Sequence, residues 1–554
     1  MTAESPDRTA ATALADGTAV GGGPKDGATV VGSTPIAGSS ESFGRRLRRY
    51  ARPTPYKIAG LIFLLFMLPI CARLPWSGDI GQHASTIWRL RENLGHPRSP
   101  MIDVPGDGSP YFSPYQVLGA LVSLATGLVP LKVLHLLALS NMVVLVIGIG
   151  AFVRSLTTNR WAPVLALACY VFLWGVDVQV WSGYESLLSL SLGVSYPSAF
   201  AAGLMFLVWA WTLRLLGRVP EGSRVSASPA KRIPAHLAIG LLVFVIVLSH
   251  PFTGIPTCLG IVAIFAASLR TLKLRDWLLW VLSGAVLLVG MLAWPYWSAF
   301  DLKQSAALDA MHKGLYNHPL NWFGFALVLG IPALITRFRR DRLDPLVLLF
   351  ALTAATVGYG YLSGHYSWGR VYPSLVLSLQ FATALELSRI PGKQWFRQQF
   401  SLVATVTLVL GAWVQSGALF YIEPKEHWPK PVVDVVQAWN PWPGFQWTTK
   451  YLKYGDVVMT RGERPSVMLP AYGYYTVAAG YPDPAVSEKE LQQRSWDSWK
   501  FFNTDTDNAL RLELLKKYHA HWVLIRPQDG AVPEGPEFEV VARSPQGEYL
   551  IHVK

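Results

Sequence analysis

The sequence predicts an α-helical polytopic membrane protein that closes with a small soluble α/β domain. Three observations carry this. Residues of the AVILMFWYC set make up 51% of the 554 residues. Charged residues make up only 15%, whereas soluble domains need about 25% to cover their surface. The basic excess sits in short clusters between apolar runs, which is how multi-span proteins distribute cytoplasmic charge.

The net charge is +13. From Ile422 onward there are 15 Lys and Arg against 17 Asp and Glu, so the whole excess lies in the preceding part. That distribution argues against a nucleic-acid groove and for a membrane topology. Three cysteines, Cys71, Cys169 and Cys258, all fall in apolar runs, which excludes a disulfide scaffold. No P-loop, GxGxxG after a strand, HExxH or GxSxG in a suitable context occurs.

Residues 1–43 are rich in Ala, Gly, Thr and Ser and read as a disordered cytoplasmic tail. A basic cluster follows: Arg45, Arg46, Arg48, Arg49, Arg52 and Lys57. It places the N-terminus inside. Residues 44–421 form the membrane part, with apolar runs near 57–75, 131–153, 161–178, 198–216, 236–250, 253–270, 277–295, 320–337, 344–362, 371–388 and 400–421. Counted as about eleven spans, they bring the basic loops to one side and Asp79, Glu185, His250 and Arg370 to the other.

Tyr115–Pro130 is apolar but short, and a span there would invert every later loop. It is read as a re-entrant or interfacial element on the outer side. Residues 422–554 then form an extracytoplasmic α/β domain. Strands are expected at 456–460, 521–525, 538–542 and 549–553, and helices at 488–501 and 506–518.

The chemistry-bearing residues lie in the outer loops. After the first run comes Trp76-Ser-Gly-Asp79-Ile-Gly-Gln82-His83, opening an amphipathic helix expected to lie in the outer interface, with Ile80, Ala84, Ile87, Leu90 and Leu94 at helical spacing, Arg89, Arg91 and Glu92 on the other side and Gly95 as a stop. Asp79 and His83 share a helix face, and a carboxylate beside an imidazole is a candidate general base. A capping box, Asp79-x-x-Gln82, explains the same residue types. Glu185, in Trp181-Ser-Gly-Tyr184-Glu185, is an ionisable group at the membrane edge. Trp181 and Tyr184 suit either stacking on a sugar or anchoring at the interface. His250, in Ser249-His-Pro-Phe-Thr253, is either a phosphate or hydroxyl partner or a satisfied turn residue. Arg370 and Tyr372, in Gly369-Arg-Val-Tyr-Pro373, open a late run. An outward guanidinium there grips a lipid-linked phosphate with paired hydrogen bonds, or snorkels to ordinary headgroups.

Taken together, the basic N-terminus, the Gly78-Asp79…His83 loop, Trp181-Ser-Gly-Tyr-Glu185-Ser, Ser249-His-Pro-Phe-Thr253 and Gly369-Arg370-Val-Tyr372-Pro373 resemble the GT-C-fold glycosyltransferases. Leu514-Leu-Lys-Lys-Tyr518…His521-Trp-Val-Leu-Ile525 is similar to the closing helix–strand unit of many bacterial members. The likeness covers nearly everything after residue 44, in architecture and short motifs. The Ala/Gly-rich tail adds an actinobacterial style.

The resemblance implies a plasma-membrane enzyme that moves a sugar from a polyprenyl-phosphate carrier to a glycan, lipid or protein of the cell envelope, on the outer face. It implies Asp79 as general base in an inverting transfer, with Arg370 on the carrier phosphate. His83, Glu185, His250 and Tyr372 would border the substrates. Asp-Ile-Gly stands where several families have Asp-x-Asp or Asp-Glu, so a divalent metal is possible but not specified. Two rivals remain. A transporter or flippase of lipid-linked envelope precursors should show two related halves with broken helices and mid-membrane charges, and neither is clear here. A catalytically inactive assembly partner would keep every feature above.

Overall fold

The computed structural model describes residues 52–220, 232–301, 306–389, 394–530 and 532–554. The predicted tail, most of the first basic cluster and much of the Arg218 to Arg232 loop lie outside the described residues. Pro53–Lys554 form one compact unit.

The membrane part opens with α1 (Pro55–Arg73). Thr54 caps it through the Lys57 N–H, Pro55 opens its first turn, and Leu74 ends it in a left-handed conformation. Then come α2 (Ile80–Glu92), α3 (Pro114–Thr126), α4 (Pro130–Leu156), α5 (Ala162–Phe172), the short α6 (Leu187–Leu192) and α7 (Pro197–Leu215). The bundle continues through α8 (Arg232–Ser249), α9 (Pro251–Ser268), α10 (Leu274–Ala293), α11 (Ala306–His312), α12 (Pro319–Arg340), α13 (Pro345–Ser363), α14 (Tyr372–Arg389) and α15 (Gln394–Val414).

Among the described residues, nine helices are long and apolar enough to cross a membrane. The two further expected runs also form helices, but of another kind. α5 has 11 residues. α14 has 18, and buries Ser374, Ser378, Gln380, Thr383 and Ser388. These two pack on each other inside the bundle, and Gln380 Nε2 donates to the Leu173 carbonyl at 2.8 Å. Shielded by neighbours, they tolerate polar residues that a lipid-facing helix would not.

α3 is the short apolar element expected near 115–130. Its 13 residues run between the Ser113 cap and a left-handed Gly127. At 1.5 Å per residue that is about 20 Å, too short for a hydrocarbon core of about 30 Å. α4 and α7 approach closely through small residues. A Cβ on Gly148 would lie 2.3 Å from the Gly203 carbonyl oxygen.

At one end of the bundle, basic residues in or just past last helical turns tie the helices together. Arg337 pairs with Asp344 (2.5 Å), Arg340 with Glu386 (2.6 Å) and Arg218 with Asp341 (3.6 Å). The loops carrying Asp79, Glu185, His250 and Arg370 gather at the other end.

Past Val414 the chain runs through α16 (Lys430–Val435) into a mixed five-stranded sheet. Its strands are β1 (Val457–Met459), β2 (Tyr475–Thr476), β3 (Ala520–Ile525), β4 (Phe538–Arg543) and β5 (Tyr549–Val553), in the order β2-β1-β3-β5-β4. β1 pairs in parallel with β2 and β3, while β5 is antiparallel to β3 and β4. Helices α17 (Glu463–Met468), α18 (Glu488–Phe502) and α19 (Asn508–Lys517) complete this part. All four expected strands and both expected helices are present. β2 and α17, two and six residues long, had no period to announce them.

α2 is the seam between the two parts, and it corrects one expectation. It does not lie half-exposed in an interface: ten of its residues are buried. Arg89, expected on a polar face, donates to the Gly473 carbonyl at 3.1 Å and the Tyr474 carbonyl at 2.5 Å, with its guanidinium 3.6 Å above the Tyr475 ring. Trp88 Nε1 donates to the Ala471 carbonyl at 2.9 Å. A Cβ on Gly81 would meet the Val467 carbonyl oxygen at 2.1 Å, so only glycine lets α17 sit this close. The helix stops at Asn93, whose Oδ1 accepts from the Gly95 and His96 N–H groups, rather than at Gly95.

Candidate functional site

Asp79 sits where the turn after α1 meets α2. Tyr196, at the start of α7, fixes that turn: its hydroxyl donates to the Ser77 carbonyl at 2.6 Å and accepts the Asp79 N–H at 2.8 Å. Asp79 occupies the N-cap position but makes no side-chain cap hydrogen bond. Its carboxylate is therefore not consumed by capping. Burial pushes the Asp79 carboxyl above the usual carboxylate range. Arg370 and the Tyr481 hydroxyl pull it down, and Glu463 pushes it up.

His83 does not pair with Asp79. Gln116 Nε2, on α3, donates to His83 Nδ1 at 2.8 Å, and the imidazole packs edge-on to Tyr196 with centroids 4.9 Å apart. Burial lowers its pKa to about 3, so it is neutral at physiological pH. Its Nε2, both polar atoms of the Gln82 amide and Gln116 Oε1 are buried without a protein partner among the described residues. Buried polar groups are normally satisfied, so these donors and acceptors beside Asp79 suit a polar ligand such as a sugar.

Beside this corner lies a small, partly open cavity lined by Glu185, His250, Phe252, Thr253 and Arg370 among others. Three predicted site residues thus meet in one space, from loops far apart in the chain. Arg370 enters from a 3-10 turn before α14. One of its nitrogens, Nη2, donates to the Ser182 carbonyl at 2.7 Å and Nη1 to His312 Nε2 at 3.3 Å, while Nε has no partner among the described residues. Phe252 and Trp181 flank the guanidinium, with ring centroids 4.5 and 5.5 Å from it. Burial lowers its pKa only to about 10, so it stays charged.

His250 bridges Thr253 Oγ1 (Nδ1, 2.8 Å) and Ser182 Oγ (Nε2, 3.3 Å). Burial and the nearby Arg370 charge drive its pKa well below the ordinary value. It offers a neutral hydrogen bond rather than a second positive charge. Glu185 is 5% exposed and accepts from the Tyr170 hydroxyl. Burial pushes it up to about 8, so it is mostly protonated at neutral pH.

Asp79, His83 and Tyr372 are not among the cavity-lining residues. Tyr372 stacks on Phe323 with centroids 5.3 Å apart and meets Tyr316 at 5.5 Å, behind Arg370. Tyr184 is likewise buried against Trp174 and Phe323. Large aromatic faces are best satisfied by such a cluster. Sequence reading did not identify Ser182, His312, Gln116, Tyr481 or Glu463 as site residues. Only His312 carried a visible signal, an imidazole in an outer loop. The others are ordinary residue types brought in by tertiary folding.

Among the described residues, no three His, Cys, Asp or Glu side chains converge closely enough to hold a metal ion.

No protein-family model matches the chain, and no curated protein matches it in sequence. Solved structures do. ArnT from Cupriavidus metallidurans, in the apo state, superposes with a TM-score of 0.53 at 15% identity, covering 90% of this chain and 97% of that one. The fold is GT-C-like.

ArnT bound to undecaprenyl phosphate matches with a TM-score of 0.50, at the same identity and coverage. The Archaeoglobus fulgidus oligosaccharyltransferase, tethered with an acceptor peptide containing the NVT sequon, matches at 0.50 and 13% identity, covering 90% of this chain and 74% of that one. The GT-C resemblance drawn from short motifs therefore holds at the level of fold, and the chain is a multi-pass membrane protein of that architecture.

Proposed function

We propose that this chain is a membrane glycosyltransferase that moves a sugar from a polyprenyl-phosphate carrier to a cell-envelope acceptor. In this reading the cavity end of the bundle is extracytoplasmic, and the end rich in Arg and Lys is cytoplasmic. One observation carries it. An unspent carboxylate, Asp79, and a guanidinium with an unpartnered N–H, Arg370, lie close enough for the Arg370 charge to lower the Asp79 pKa. A general base and a phosphate clamp are what this transfer needs in one place.

Arg370 holds the carrier phosphate, with neutral His250 and the Ser182 hydroxyl as hydrogen-bond partners. The Asp79 carboxylate takes the proton of the acceptor hydroxyl. The oxygen attacks the anomeric carbon opposite the phosphate, the bond from that carbon to the phosphate oxygen breaks, and its electron pair leaves on the phosphate under Arg370. The configuration inverts. Protonated Glu185 spares the phosphate a neighbouring negative charge.

The test is Asp79→Asn in a membrane transfer assay across polyprenyl-phosphate sugars. A loss of about 10²- to 10⁴-fold is expected for removing a general base. Wild-type turnover in that variant removes Asp79 from the role. A wild-type protein that moves no sugar from any carrier, yet is required for envelope assembly, points to the non-catalytic partner.

A further inference from the structure

A phosphate clamp works only when its guanidinium is aimed, and a long arginine side chain has many rotamers to lose. Two short elements beside the cavity meet in a way that fixes the aim of Arg370. α11 packs along the 3-10 turn Tyr366–Val371 that carries Arg370. Asp309 meets the start of that turn. Its Oδ1 accepts the Ser367 N–H at 3.0 Å, and its Oδ2 accepts from His365 Nδ1 at 3.2 Å. Three residues further along α11, His312 meets the end of the same turn, where its Nε2 accepts from Arg370 Nη1 at 3.3 Å.

We infer that Asp309 and His365 form a clip that holds α11 on this turn, so that His312 orients the Arg370 guanidinium for the carrier phosphate. This rests on Arg370 being the phosphate clamp. Asp309, His365 and His312 are positioning residues: none of them lines the cavity, and each acts on the donor through Arg370.

The spacing on both sides supports the clip. Asp309 and His312 are three apart on an α-helix and so share a face. Ser367 and Arg370 are three apart in a 3-10 turn, where such residues eclipse one another. Two fastenings one turn apart stop α11 from pivoting, which a single contact would allow. The imidazole is also held from the sides. The His312 ring lies 5.5 Å from Trp181 and 5.8 Å from Phe252, the same two rings that flank the guanidinium. Arg370 Nη2 is tied separately, to the Ser182 carbonyl at 2.7 Å. With both terminal nitrogens anchored, the guanidinium plane is set and its Nε–H edge stays available for a phosphate oxygen. Holding a binding group through neighbours that never touch the ligand is how a site keeps productive geometry.

The experiment measures the Kd of undecaprenyl phosphate for the full-length protein carrying Asp309→Ala, His365→Ala or Arg370→Ala, and for each clip variant combined with Arg370→Ala. Asp309→Ala should weaken binding about tenfold, and His365→Ala, which removes one of the two hydrogen bonds on the carboxylate, about threefold. In the Arg370→Ala background either clip substitution should change Kd by less than about twofold, because the group that the clip aims is gone. A general loosening of the fold would instead multiply the two effects. Clip variants that bind within about twofold of wild type, beside an Arg370→Ala protein that has lost affinity, overturn the clip and leave the phosphate assignment intact. Effects that multiply in the double variants overturn it as well. An Arg370→Ala protein that binds like wild type overturns the phosphate assignment itself. The His365 side chain is 42% exposed, so its variants complete the same cycle even if Asp309→Ala does not fold.

Discussion

Arg370→Ala is the substitution whose cost follows most directly from the structure. The guanidinium has five N–H donors, of which two are taken by the Ser182 carbonyl and His312, while Nε–H is unpartnered. Nε–H and a remaining Nη proton can meet a phosphate side-on in the paired geometry that favours arginine. Hydrogen bonds to charged groups contribute about 1.5–3 kcal/mol each. Two give a gross value of roughly 3–6 kcal/mol, and water entering the open cavity restores part of it. A net loss of about 3 kcal/mol corresponds to a Kd for undecaprenyl phosphate roughly 10²-fold weaker. Arg370→Lys keeps the charge but not the fork, and should lose about tenfold. Trp181, 5.5 Å from the guanidinium, makes intrinsic fluorescence a workable readout in detergent or nanodiscs. An Arg370→Ala protein that melts like wild type yet binds undecaprenyl phosphate within twofold of it refutes the phosphate assignment.

Glu185→Gln tests the protonated carboxyl. With its pKa pushed up to about 8, Glu185 ionises as pH rises through that value and places a negative charge in the cavity. Wild-type affinity for undecaprenyl phosphate should fall above about pH 8, and the Gln variant should hold its affinity across the range; identical alkaline profiles speak against this. Arg89→Met should destabilise the join between α2 and the sheet-containing part by about 2–4 kcal/mol, since it leaves two buried carbonyls without their donor. Limited proteolysis after residue 421 should then accelerate, and an unchanged melting temperature with unchanged proteolysis contradicts that role.

How much of this could be read from the chain depends on which interactions are local. Spans, the short α3 and most strands follow from hydrophobic runs and alternation, so the sequence places them within a few residues. α5 and α14 show the limit: composition sees their length and polarity but not the neighbours that shield them. Arg370, Glu185 and His250 were legible because ionisable residues at the outer ends of apolar runs need a reason. The Asp79–His83 pairing failed because shared helical spacing permits contact without requiring it, and Gln116 on α3 reaches the imidazole instead. Tyr481 and Glu463 lie in the sheet-containing part, far along the chain from Asp79, in segments with no distinguishing pattern, so only tertiary folding brings them in.

The charges around the cavity also say when Asp79 should act. His83 and His250 are neutral and Glu185 is largely protonated, which leaves Arg370 as the cation whose field holds the Asp79 pKa down. A phosphate bound to Arg370 cancels that field. Asp79 then faces burial and Glu463 with less opposition, its pKa rises, and it becomes a stronger base. On the proposed reading, the donor thus raises the basicity of the group that activates the acceptor. The acid limb of kcat, which reports the donor-bound enzyme, should therefore lie at higher pH than the limb of kcat/KM for the donor, which reports the free enzyme. In Arg370→Ala the kcat/KM limb should itself move to higher pH, because the cation that lowers the Asp79 pKa in the free enzyme is gone. A kcat/KM limb that stays in place in that variant means that some other group sets the Asp79 pKa, and the coupling between donor and base through Arg370 is lost from the mechanism.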